Sequence, residues 1–480
     1  MRRSLLAVAL LIAVVAGMAP AGAKPLVKPK LAKTVQVNPG PASFRSANME
    51  YIATLPIDSP GVGARVVQVG EQKRLYVTGV QSLTIFDLTN PALPMVLGRL
   101  ELPNWENEDV TVSADGKTVL ISEFTGTYMH VVSVADGPNG TLIPTPVGFS
   151  PLDNGHIVTC IDTACDWVYG SEGSIIDLRD KTNPIHLDAG WASQLKLPAG
   201  HNVEVITPTT CTYDEAGAPS CPGGIVSADV TPITIMDVSD PTKPTIITQS
   251  DSKEMNKNRT AYQHNNKLPR ADEYLPRLTE EELADPNLRP GELMMGNGET
   301  NFTRTCNTGS GPFATYSARN WSEGEPIKVI EVLRPVSGQY SNGDPAVNAM
   351  GCSGHWFDPR PDAEGNYKVT AAWYEHGTRL IEVNANPADE IPDGKISQIG
   401  FYQPVQGAAS QSLWIDDEYI YTIDYQRGID ILRYNKDAET PTTAEIDASW
   451  LANLGKVAPL AQTERFICKL AQDGGLRALR

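Results

Sequence analysis

Positive charge is scarce in this chain. Against 57 Asp and Glu stand only 39 Lys and Arg, a formal net charge of −18 at pH 7. Such a surface repels nucleic acid and anionic membranes, attracts cations and favours solubility. Long apolar runs are as rare: the one candidate, LLAVALLIAVVAGM at 5–18, is too short to span a bilayer comfortably, so no membrane span is expected. The short catalytic signatures are missing too. There is no GxSxG, Walker loop, HExxH or dinucleotide fingerprint, and no paired CxxC that would mark a zinc module.

What the N-terminus does have is MetArgArgSer, then that apolar run, then the small residues AlaGlyAla at 21–23. This order predicts a signal peptide over 1–23, followed by a linker over 24–44 and a secreted or extracytoplasmic protein. The seven cysteines fit an oxidising compartment. Cys160 and Cys165 flank the short turn IDTA, and Cys211 and Cys221 flank a TyrAspGluAlaGlyAlaProSer loop. Each pair is positioned to staple neighbouring strands. Cys306 and Cys352 make a longer-range third pair, which leaves Cys468 in the tail without an assigned partner.

The 40 Gly and 37 Pro are scattered between short β-rich runs, which implies many turns. Three runs are versions of one text: TIFDLTNPALP (84–94), SIIDLRDKTNP (174–184) and TIMDVSDPTKP (234–244). Asp87 and Asp177 lie 90 residues apart and Asp177 and Asp237 lie 60 apart, which suits a unit of roughly 45 residues with insertions, the length of a propeller blade. The Asp side chains are expected to cap the following turn, and the prolines to fix it. Counting apolar alternations between 45 and 437 predicts seven four-stranded antiparallel blades, an all-β propeller. The seventh lacks a fourth strand, and MetGluTyrIleAlaThrLeu (49–55) is available to supply it and close the ring. Residues 438–480 read as a partly helical tail. The repeat, apolar-Asp-apolar-Ser/Thr-Asp/Asn-Pro-x-x-Pro, resembles the LVIVD repeat family of β-propellers. That resemblance implies the fold, and no single activity.

Aligning the innermost strands brings out one column: Arg65, Glu108, His156, His201, His264, His355 and Gln411. Four of the chain's seven histidines fall in it, on consecutive blades. His156, His201, His264 and His355 are therefore candidate ligands for one transition-metal ion, Cu, Fe or Zn. The competing reading is a water-filled channel whose histidines are merely solvated. Glu108, Glu172, Asp229, Glu299, Glu375 and His376 are candidates to stand behind the imidazoles and orient them. The charged insertion 269–285 reads as a lid over the channel or a plain surface loop.

Two functional classes remain. One is an extracellular platform that binds an unknown ligand or protein, with or without a structural metal. The other is a metal-dependent oxidoreductase, by architectural analogy with propeller enzymes that hold a metal on the axis, such as the carotenoid oxygenases and the selenium-binding/methanethiol oxidase family. Their motifs are not matched here.

Overall fold

Ser82–Asp87, the third strand of the first repeat, is buried at every position, although a half-covered strand would alternate. Burial on both faces means a neighbouring sheet lies on each side, as in a ring of radially stacked sheets. In the computed structural model, which describes residues between Ser43 and Ala438 apart from several loops, 270–291 and 336–350 the longest, this is the arrangement throughout. The leader, most of the linker, the charged insertion beyond Pro269, His156, and the tail after Ala438 with Cys468 lie outside the described residues. All described residues belong to the unit that starts at Val37.

Seven antiparallel sheets form the blades, each four strands wide, with the sixth widened to five. Blade one is Gly61–Val69, Gln72–Gly79, Ser82–Asp87 and Met95–Glu101. In it Tyr76↔Ile85 and Ile85↔Gly98 set the register. The core is not central but lies between blades. Tyr76, Leu83 and Ile85 of blade one pack on Val119, Ile121 and Val132 of blade two, and Trp167, Tyr169 and Ile175 of blade three on Val226 and Met236 of blade four. The repeated aspartates cap the turns as expected. Asp87, Asp177 and Asp237 each accept the backbone N–H two residues on, from Thr89 (2.8 Å), Arg179 (3.1 Å) and Ser239 (2.7 Å).

The ring closes through its N-terminal strand. Met49–Leu55 pairs antiparallel with Gly428–Tyr434, from Met49↔Tyr434 to Leu55↔Ile429, and completes blade seven. Ser43–Arg45, expected at the end of the linker and the start of the propeller, adds the fifth strand to blade six through Ser43↔Pro404 and Arg45↔Tyr402. The N-terminal segment therefore ties two blades together. Cys160–Cys165 closes the first turn of blade three, and Cys211–Cys221 closes a hairpin inserted in blade four. Cys306–Cys352 joins the blade-five loop to the approach of blade six.

Candidate metal centre

Four side chains that lie one to three residues before an innermost strand meet. His201 precedes Val203–Thr207, His264 precedes Asn265–Lys267, His355 precedes Phe357–Pro361, and Glu108 precedes Thr111–Val112. Two glycines allow the approach. A Cβ on Gly354 would lie 2.0 Å from Asn297 Oδ1, and Asn297 donates to the His355 carbonyl at 2.7 Å. A Cβ on Gly63 would lie 2.6 Å from the Glu108 carbonyl, so blade one has no side chain where Glu108 sits.

Three imidazole Nε2 atoms converge on one carboxylate oxygen. Glu108 Oε2 is 3.0 Å from His264 Nε2 and 3.4 Å from both His201 Nε2 and His355 Nε2. The His201 and His264 rings lie 4.0 Å apart by centroid, as do those of His264 and His355. His264 and His355 are fully buried, and the side chains of His201 and Glu108 are only 10% and 5% exposed.

Two ring orientations are fixed by backbone. His201 Nδ1 lies 3.1 Å from the His264 carbonyl, and His355 Nδ1 lies 2.5 Å from the Ser410 carbonyl. A carbonyl only accepts, so each Nδ1 carries the proton and donates it. In the neutral ring each Nε2 then presents a lone pair to the carboxylate oxygen, and His355 Nε2 has no hydrogen-bond partner. Two lone pairs facing an oxyanion in a buried site repel unless a positive charge sits between them. Ligand atoms about 2.0–2.1 Å from a zinc-like ion and related by a tetrahedral angle lie about 3.3 Å apart. The three separations from Glu108 Oε2, 3.0–3.4 Å, match such edges. Among the described residues Glu108, His201 and His264 offer ligand atoms that all lie within 4.8 Å of one another, a group that does not include His355. This His/Glu cluster can hold a metal ion.

Burial, and then the neighbouring His201 and His355, hold His264 well below the ordinary imidazole pKa, so its ring is neutral. Burial also works against a charge on His355, but the Glu108 carboxylate, with Glu299 and the Ser410 carbonyl, raises its pKa overall.

Of the four expected ligand histidines, His201 and His264 share one group with Glu108, His355 meets the same carboxylate oxygen from outside that group, and His156 lies outside the described residues. Glu108 is not behind the rings but beside their Nε2 atoms, since its side chain shares the height of the imidazoles. At His201 and His355 the next blade's backbone carbonyl accepts from Nδ1, because adjacent innermost strands run close enough to reach Nδ1 directly. Asp229 instead accepts the His201 backbone N–H at 2.7 Å. Glu299 takes the hydroxyl of Tyr374, whose ring lies 4.6 Å from that of His355. Glu172 accepts from Ser171 Oγ at 2.5 Å, and Glu375 is buried. His376 belongs to a separate group with Cys306 and Cys352, its Nδ1 3.2 Å from the Gly351 carbonyl.

Sequence reasoning missed Asn265, whose Nδ2 contacts His264 Nδ1 at 3.1 Å and the His355 carbonyl at 3.2 Å. It also missed a second layer of the channel. The signal was available: HNVE (201–204), HNNK (264–267) and HWFD (355–358) each put a charge three residues after the histidine.

No family model and no curated protein matches this chain. Solved structures do. The β-propeller domain of Cps50 (Swd1) from Myceliophteria thermophila is similar at 12% identity and TM-score 0.48, over 80% of this chain and 99% of that one. Saccharomyces cerevisiae Sqt1 aligns at 8% identity and TM-score 0.41, over 78% and 87%. Hydrazine synthase from Kuenenia stuttgartiensis aligns at 11% and 0.43, over 79% and 97%. These likenesses carry no argument about the chemistry of this chain.

Proposed function

We propose that this chain is an exported propeller of the LVIVD-repeat kind that binds one first-row transition-metal ion on its axis. His201, His264 and His355 hold it through Nε2, and Glu108 through Oε2. The supporting observation is the convergence of three imidazole nitrogens on a single buried carboxylate oxygen, two of them fixed in the tautomer that presents a lone pair. Three neutral imidazoles and one carboxylate suit zinc, iron or copper better than calcium or magnesium. Bound there, the ion would supply Lewis acidity or, for iron or copper, electron transfer.

A reactive rather than purely structural role is favoured by the surroundings. Seven closed blades and three disulfides hold the ring without an ion. Tyr374, Trp356 and Tyr425 crowd His355 with ring centroids at 4.6, 6.5 and 6.3 Å, and exclude water from that side. The test is elemental analysis of protein purified from an exporting host, paired with His264→Ala. One equivalent of Zn, Fe or Cu in the wild type, lost in a variant with an unchanged circular dichroism spectrum, is expected. A wild type without metal, which also takes up none on dialysis against each ion, would leave only the metal-free binding platform.

A further inference from the structure

Beside the metal-facing layer, the channel opens into a cavity of about 270 Å³. This is just under the roughly 300 Å³ at which pockets for drug-sized molecules begin. Its walls carry Arg65, Lys267, Asp109, Glu204 and Asp358, with Trp356 separating it from His264, whose ring is 5.1 Å away.

Buried charges are normally closed into tight, hydrogen-bonded pairs. The buried Asp109 is not, and neither is the partly buried Lys267. Lys267 Nζ finds its nearest paired carboxylate, Glu204, only at 3.9 Å. Asp109 is 4% exposed and its Oδ1 has no hydrogen-bond partner. Asp358 accepts the Trp414 N–H through Oδ2 at 2.9 Å, with its other oxygen left for the cavity it lines. The indole N–H of Trp356, 3% exposed, is likewise unpartnered.

An anion alone in this space would face three carboxylates, and a cation alone would face Arg65 and Lys267. A small molecule bearing both charges satisfies the two sets at once. We propose that the cavity binds a small zwitterion of free amino-acid type. Its carboxylate is taken by Lys267, the Trp356 N–H and Arg65, and its ammonium by Asp109, Asp358 and Glu204. The inference rests on the cavity walls and not on the metal.

Isothermal titration calorimetry with each L-amino acid singly, on both chelator-treated and metal-loaded protein, tests it. Acetate and methylammonium serve as half-ligand controls. At least one amino acid should give saturable heat in both preparations, while neither control does. Lys267→Met should weaken that binding about tenfold or more, the loss of one charge-assisted hydrogen bond. Glu204→Gln, which keeps the wall's shape, should weaken it in the same direction and decides the matter if the lysine variant does not fold. No saturable heat with any amino acid overturns the proposal. So does binding to the metal-loaded form alone, which would assign the ligand to the ion, and so does equal binding by both folded variants.

Discussion

His264 differs from its two neighbours in what holds its Nδ1: an amide side chain in place of a carbonyl. For its Nε2 to ligate, Nδ1 must carry the proton, and the Asn265 amide must turn its oxygen toward it. That oxygen, Oδ1, is buried without a partner as placed. Asn265→Ala should therefore lower metal affinity about 10- to 100-fold, the usual effect of removing a group that orients a ligand. Competition with a chromophoric chelator measures this, and unchanged affinity would separate Asn265 from the site. A second residue-scale expectation concerns Asp424. Burial first, and the nearby Asp430 second, push its carboxyl up to about 7. Unfolded, it titrates near about 3.9, so between these values the native state binds the extra proton. The stability this gives is fully present below about pH 4 and is lost as pH rises through about 7. Asp424→Asn should gain on the wild type in urea midpoint between about pH 5 and pH 8, and a constant difference would contradict the assignment. The histidines were legible because a column in a repeat reports which strand end a residue occupies. The height of Glu108 and the carbonyls at Nδ1 were not, since both depend on how adjacent blades pack, which no spacing within one blade encodes.

At the scale of elements, the blades were read from the Asp-Pro turns and short apolar strands, and those local signals survive in the structure. The additions were harder to see. Ser43–Arg45 contributes Phe44, 1% exposed, to blade six, yet three residues are too few for a period to show. The short helix Trp191–Leu195 follows blade three's last strand and carries no repeat signature. It matters for packing all the same. Trp191 is fully buried in the layer between blades three and four and donates its indole N–H to the Gly170 carbonyl at 2.8 Å. Trp191→Ala should cost about 3–5 kcal/mol, the range for deleting a large buried aromatic. Equilibrium urea unfolding checks this, and a loss under about 1 kcal/mol would mean that the layer collapses around the gap.

At the scale of the whole molecule, blade seven reaches its full width because Met49–Leu55 is its fourth, outermost strand. A chain starting at Gly61 should expose the edge of Gly428–Tyr434 and associate through it. Size-exclusion chromatography should show oligomers where the full chain elutes as a single species, and a well-behaved truncated monomer would argue that closure is dispensable. The same strand also imposes an order of events. The strand that emerges at Met49 cannot be satisfied until Tyr434 exists, so it must wait through the making of every other blade. Such a distant pairing is slow to form. Moving residues 43–55 to the far end of the chain by permutation would leave every contact of the finished disc in place while making its last step local. Its refolding should quicken with little change in equilibrium stability, so the clasp governs when the protein is finished as well as whether it holds.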